Sequence, residues 1–110
     1  MFLELSGAEV RTAVRASAGL HELERSVPDL LLSDLGLPGE DGYSLVRKCR
    51  SHSSEAIRGL PAIAVTAMAR RQDVERTRAA GFDDHLAKPL DLDKLLASIA
   101  RVRAAAAQKS

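Results

Sequence analysis

Three observations predict an α/β domain whose parallel sheet is covered on both sides. Strand-length runs recur at residues 30–34, 61–66 and 84–87. Stretches with apolar residues three and four positions apart lie around them, as amphipathic helices require. Each run also stops at a side chain with chemistry to offer, Asp34, Thr66 or Lys88, just before a loop. Strands alternating with helices of this length build parallel sheets.

The organising stretch is Pro28-Asp29-Leu30-Leu31-Leu32-Ser33-Asp34-Leu35-Gly36-Leu37-Pro38-Gly39. Three leucines between turn signals read as a strand buried on both faces. A carboxylate where such a strand meets a loop sits in an expensive place, because an unpaired buried charge costs several kcal/mol or more. In an open α/β sheet that place is also where ligands bind. Asp34 is therefore the first candidate for chemistry; its plainer role is to start a turn.

At 110 residues the chain is read as one domain, with a tail from about residue 104 to 110. A net charge of +1 lacks the basic excess of a nucleic-acid binder. The single cysteine, Cys49, excludes an intrachain disulfide and suits a reducing compartment. No stretch approaches the roughly 20 apolar residues of a membrane span. The opening residues lack the basic region and apolar length of a signal peptide. Together these predict a cytoplasmic domain with no membrane or nucleic-acid partner.

In chain order, residues 1–6 read as the last turn of a helix capped by Gly7. Residues 8–13 alternate apolar and polar, as a half-exposed edge strand does. Ser17 caps a helix carrying Leu20, Leu23 and Val27, which Pro28 closes. Asp41 caps the next helix, in which Gly42, Leu45, Val46 and Cys49 share a face, so Cys49 is a core residue. Residues 51–60 are polar and mixed, and read as a surface loop. The helix over about 71–80 has Val74 as its only sizeable aliphatic, so packing holds it weakly. Gly81 and Phe82 stop it. Asp91 caps a final helix whose face is Leu92, Leu95, Leu96, Ile99 and Val102. The weakly faced helix and the final one are the surfaces offered for dimerisation. His21 and His52 lack metal-ligand spacing and are expected to be solvated.

In a parallel sheet all carboxyl ends lie along one edge, so Asp34, Thr66 and Lys88 converge there. A carboxylate can attack phosphorus as a nucleophile. A hydroxyl and an ammonium can stabilise charge on the phosphoryl oxygens. The plainer reading is an Asp–Lys ion pair with a threonine hydrogen bond.

The motifs Leu-Leu-Ser-Asp34-Leu-Gly-Leu-Pro-Gly-Glu-Asp-Gly, Ala-Val-Thr66-Ala67, Ala-Gly81-Phe-Asp and Leu-Ala-Lys88-Pro89 resemble, in order and spacing, the receiver domain of two-component response regulators. The resemblance covers residues 1 to about 103. It implies a flavodoxin-like, doubly wound parallel sheet with strand order 2-1-3-4-5. It also implies phosphorylation of Asp34 by a histidine kinase or phosphotransfer protein, with no catalysis beyond the domain's own phosphorylation and dephosphorylation. Thr66 would bind a phosphoryl oxygen and draw its loop inward, Ala67 would leave access, and Lys88 would pair with the phosphoryl group. The Lys88–Pro89 bond would be cis, and the Gly36 carbonyl would join Asp34 in ligating Mg2+. His85 stands where many members carry a switch tyrosine or phenylalanine.

The resemblance departs at the front. The family's opening strand, with its pair of acidic residues, has no counterpart here, so the sheet is expected to lack its first strand. Mg2+ seeks octahedral oxygen ligands and usually one or two carboxylates. Asp34 with a carbonyl and waters should hold it poorly; Glu40 and Asp41 are near in sequence, but Asp41 serves better as a cap. The chain is expected to be an N-terminally truncated receiver, such as a piece of a hybrid kinase, with residues 8–13 displaced or separated from the other strands by a gap. The alternatives are a degenerate receiver that binds partners without phosphorylation, and a sheet whose remaining strands close the gap or pair between chains. An aspartate-nucleophile phosphatase is disfavoured, since such enzymes place a second acid where this chain has Gly36. A nucleotide-binding domain is disfavoured because no Gly-rich phosphate loop is present.

Overall fold

The structure is a computed structural model that describes residues 2–5, 7–13, 16–35, 41–67 and 71–108. Its elements run β1 (Phe2–Leu5), β2 (Ala8–Ala13), α1 (Ala16–Arg25), β3 (Leu30–Asp34), α2 (Asp41–Arg50), α3 (Glu55–Arg58), β4 (Ala62–Thr66), α4 (Arg71–Ala80), β5 (Asp84–Ala87) and α5 (Leu92–Gln108). One sheet holds the strands in the order β1-β2-β3-β4-β5, with β2 to β5 parallel and β1 antiparallel at the edge. The α/β class with a parallel sheet is as the sequence predicts.

The front of the chain differs from expectation. Phe2–Leu5 is a strand, not the end of a helix, and pairs antiparallel with β2 from Phe2 opposite Arg11 to Leu5 opposite Ala8. An isolated turn of helix has almost no stability of its own, whereas a strand beside β2 satisfies its backbone in a ladder. Gly7 has φ +79°, so the glycine read as a helix cap serves a hairpin instead. Nor is β2 an edge strand or displaced. It lies in direct parallel register with β3, from Val10 opposite Leu30 to Ala13 opposite Ser33. No gap separates them, and the order 2-1-3-4-5 is not formed. An open ladder edge beside β3 would leave backbone N–H and C=O groups unpaired, and β2 satisfies them.

The leucine run of β3 divides its side chains between two cores. Leu31 belongs to one core with Leu23 of α1, Val46 and Cys49 of α2, Ala62 and Ala64 of β4, and Phe82. Leu30 and Leu32 belong to the other with Val10, Ile63, Val65 and the α5 residues Leu95, Ile99 and Val102. Burying each leucine contributes roughly 1.5–3 kcal/mol, which makes β3 the anchor of both layers. On β2 the alternation has an added meaning. Ala8 and Val10 are buried against the second core, while Arg11 is buried on the other face and reaches the Glu22 carboxylate of α1.

Residues 55–58, inside the stretch read as loop, form the short helix α3, which buries Ile57. The final helix runs on to Gln108, past the predicted start of the tail, because four consecutive alanines favour helix. Asp91 caps it as expected, with its Oδ1 accepting from the backbone N–H of Asp93 at 2.8 Å and of Lys94 at 3.3 Å. Val27, expected on the helix face, lies beyond the end of α1 and is exposed.

Gly81 ends α4. The Phe82 N–H bonds back to the Thr77 carbonyl at 3.1 Å while Gly81 takes φ +114°. A Cβ there would lie 2.7 Å from Arg50 Cγ and 3.2 Å from Val46 Cγ1. Gly81→Ala is therefore expected to cost about 1–2 kcal/mol in urea unfolding. An unchanged midpoint would show that the turn can re-form without a left-handed residue.

Candidate functional site

Three neighbouring strands bring the predicted residues to one edge. Asp34 is the last residue of β3 and pairs in register with Val65. Thr66, next in the chain, ends β4 and pairs with Ala87, and Lys88 follows directly. Backbone bonds hold the strand exits together. Leu35 N–H donates to the Val65 carbonyl at 2.7 Å, and Lys88 N–H donates to the Thr66 carbonyl at 2.9 Å. With strands about 4.8 Å apart, the three positions span about 10 Å across the sheet. The local reason is the same each time: an apolar run ends, and the first polar side chain meets the loop.

Thr66 is half-buried, whereas Ala67 and Lys88 are exposed. The Lys88–Pro89 peptide is cis. Gly36 and Glu40 lie outside the described residues. The strand on the other side of β3 ends in Thr12-Ala13, so among the described residues Asp34 is the only carboxylate on which a parallel strand ends. Among the described residues no group of three or more His, Cys, Asp or Glu side chains is arranged to hold a metal ion.

His85 is half-buried on β5 and lines a small cavity of about 70 Å3 with Val74, Thr77 and Phe82. The adjacent Asp84 faces α5, where its carboxylate accepts from the Ser98 hydroxyl and the Arg101 guanidinium. The two sides of β5 thus separate the residue beside α4 from a carboxylate that ties down α5. Burial raises the Asp84 pKa, but the bonds from Ser98, the His85 N–H and Arg101 outweigh it and hold the carboxyl below its ordinary value. Burial likewise raises the Cys49 thiol, with the nearby Arg50 charge opposing, so the thiol stays protonated and packs as an apolar residue.

Two groupings were not read from the sequence. Arg50 gathers three carbonyls and the Asp83 carboxylate at the opposite edge of the sheet. His52, expected to be solvated, is largely covered and pairs with Glu24 at 2.9 Å. The arginine draws on loops distant in sequence, which no local pattern reveals. The histidine had one signal, its place two residues before Ser54 at the start of α3, where a ring nitrogen can accept a backbone N–H.

A parallel sheet with helices on both faces, and polar side chains at the carboxyl ends of its strands, defines a flavodoxin-like α/β domain. The chain belongs to the response regulator receiver domain family, whose model matches residues 1–100. Among curated relatives, an uncharacterized 14.6 kDa protein of Leptolyngbya boryana is 44% identical over 91 residues, covering 81% of this chain and 66% of that one. The transcriptional regulatory protein PhoP of Escherichia coli is 36% identical over 84% of this chain and 40% of its own. Hybrid signal transduction histidine kinase D of Dictyostelium discoideum is 38% identical over 90% of this chain and 7% of its own. The chain thus spans less than two thirds of the length of these relatives.

Solved structures agree. The receiver domain of a Pseudomonas aeruginosa sensor histidine kinase, with a magnesium ion coordinated in its active-site cleft, superposes with a TM-score of 0.70 at 35% identity. That match covers 84% of this chain and 74% of that one. A CheY-like response regulator receiver domain protein from Methanospirillum hungatei gives a TM-score of 0.72 at 26% identity, covering 87% and 74%. Among the described residues, no helix is long and apolar enough to cross a membrane.

Proposed function

We propose that this chain is a phosphoacceptor of a two-component phosphorelay, taking a phosphoryl group on Asp34 from a histidine kinase or phosphotransfer protein in the cytoplasm. An Asp34 carboxylate oxygen attacks phosphorus and forms the acyl phosphate. The bond from phosphorus to the donor imidazole breaks, and that nitrogen keeps the electron pair and takes up a proton. The Thr66 hydroxyl donates to one phosphoryl oxygen, the Lys88 ammonium pairs with another, and Ala67 leaves the approach open. The observation that carries this reading is the run of three adjacent strand ends at Asp34, Thr66 and Lys88.

Movement of Thr66 toward the phosphoryl group would pull on the connection to α4. That helix has a thin apolar face, so it is the element whose position such a pull can change. His85 stands on the α4 side of β5, where it would register the shift. The last two helices, α4 and α5, are the surfaces for a second copy or a downstream partner, and residues 1–110 act as one domain.

Mg2+ does not fit this edge well. Its octahedral shell usually takes one or two protein carboxylates besides carbonyl and water, and among the described strands Asp34 alone ends one as an acid. That observation favours a second reading, a receiver that binds partners without phosphorylation. Incubation with a small phosphoryl donor and Mg2+, followed by intact-mass measurement, separates the two. A phosphate adduct on the native chain, absent in Asp34→Asn, is expected; no adduct on either chain selects the second reading.

A further inference from the structure

We propose that His52 is a pH-sensitive latch that fastens the start of α3 to α1. The ring is held at both nitrogens. Its Nδ1 lies 2.9 Å from the backbone N of Ser54, whose N–H donates to it. Its Nε2 lies 2.9 Å from Glu24 Oε2 on α1. A backbone N–H can only donate, so Nδ1 must carry a lone pair and the ring proton must sit on Nε2, aimed at the carboxylate. One neutral tautomer thus satisfies both contacts.

A second proton has only Nδ1 to occupy. Once there, it faces the Ser54 N–H, and the bond that holds the first residue before α3 is lost. The contact with Glu24 survives and becomes an ion pair. Protonation therefore releases one end of the latch and tightens the other.

What is released matters to the loop, because Ser54 has no other side-chain cap. Its own hydroxyl makes no capping bond, while its carbonyl accepts from the Arg58 N–H at 2.9 Å. Arg58 Nη1 in turn donates to the His52 carbonyl at 3.0 Å, closing the loop from the far side. The charged groups set against the ring are Glu24 from α1, and Arg58 with its neighbour Glu55 from α3. The last turn of α2, from which the loop leaves, adds Arg47 and Lys48, both exposed. Glu55 and Arg58 also wall an open cleft of about 560 Å3 with Arg50, Pro61, Asp83 and Ala106. Loosening α3 would therefore reshape this cleft, at the end of the sheet away from Asp34.

The test is a pH titration of the full chain followed by nitrogen-detected ring resonances and backbone amide exchange. While the His52 ring is neutral it should carry its proton on Nε2. As falling pH adds the second proton, the Ser54 amide should shift with the same midpoint as the ring. Its exchange, corrected for the intrinsic rate, should quicken about fivefold, as loss of one typical hydrogen bond implies. His52→Asn keeps a side-chain acceptor near Ser54 but cannot titrate, so its Ser54 amide should stay level. A ring proton on Nδ1 at neutral pH overturns the latch. So does a Ser54 amide that ignores the ring's titration, or an Asn variant that responds as the native chain does.

Discussion

Arg50→Ala is expected to lower the unfolding free energy by about 3 kcal/mol, the largest loss from any single polar side chain here. The guanidinium ties the end of α2 to two connections, the one after α3 and the one after α4. Nε donates to the Gly81 carbonyl at 2.9 Å, and Nη1 to the carbonyls of Arg58 and Leu60 at 2.9 and 2.7 Å. Nη2 donates to Asp83 Oδ2 at 3.0 Å, and that same oxygen accepts the Ala62 N–H at 2.8 Å. Truncation removes all of these donors together and leaves carbonyls at the ends of α3 and α4 without partners. Because the Arg50 side chain keeps 25% of its exposure, water replaces part of what is lost, which holds the figure near 3 kcal/mol. Arg50→Lys should recover little, since an ammonium cannot reach four separate acceptors in the planar fork they require. Urea unfolding followed by circular dichroism measures this directly. A loss under about 1 kcal/mol would show that the loops hold themselves without the arginine. Arg50→Ala and Asp83→Ala should be non-additive when combined, because both remove the Arg50–Asp83 contact.

The legibility of this fold followed the range of the interactions involved. β3 was readable because burial on both faces needs an unbroken apolar run, and Leu30–Leu32 is one. The helix stop at Gly81 and the cap at Asp91 were readable because each depends on neighbours within a few residues. The edge carrying Asp34, Thr66 and Lys88 followed from topology, since parallel strands must deliver their ends to one side. The hairpin at the front was not legible. Phe2–Leu5 has an apolar pattern that suits either a helix end or a strand, and the choice was made by β2, whose place beside β3 is a long-range fact. The same holds for the missing gap: local pattern showed that residues 8–13 extend, but not which strand they would join. Arg50, and the contact of His52 with α1, were invisible for a related reason. The partners of Arg50 lie 8 to 33 residues away and Glu24 lies 28 from His52, whereas only the Ser54 contact of His52 is local.

A second large loss is expected from Asp84→Ala, about 2–3 kcal/mol, together with a changed response to acid. Asp84 begins β5 and turns its carboxylate to α5, where Ser98 is fully buried and Arg101 is mostly exposed. Removing the carboxylate leaves the Ser98 hydroxyl in the core without its acceptor, a cost of about 1–3 kcal/mol, while the exposed guanidinium recovers water at little cost. The same contacts hold the Asp84 pKa below its ordinary value. A carboxylate whose folded pKa is depressed stabilises the fold above its unfolded pKa, and that contribution disappears as pH falls through the folded value. The native chain should therefore lose stability below about pH 4, where an unperturbed aspartate takes its proton. Asp84→Asn should lose less than Asp84→Ala at neutral pH, because its amide oxygen can still accept from Ser98. It should also show a shallower fall in acid, since the titrating group is gone. Thermal unfolding of the three chains between about pH 3 and pH 7 supplies the comparison. Parallel acid slopes for the native chain and Asp84→Asn would assign the acid sensitivity to other carboxylates and leave Asp84 with a packing role alone.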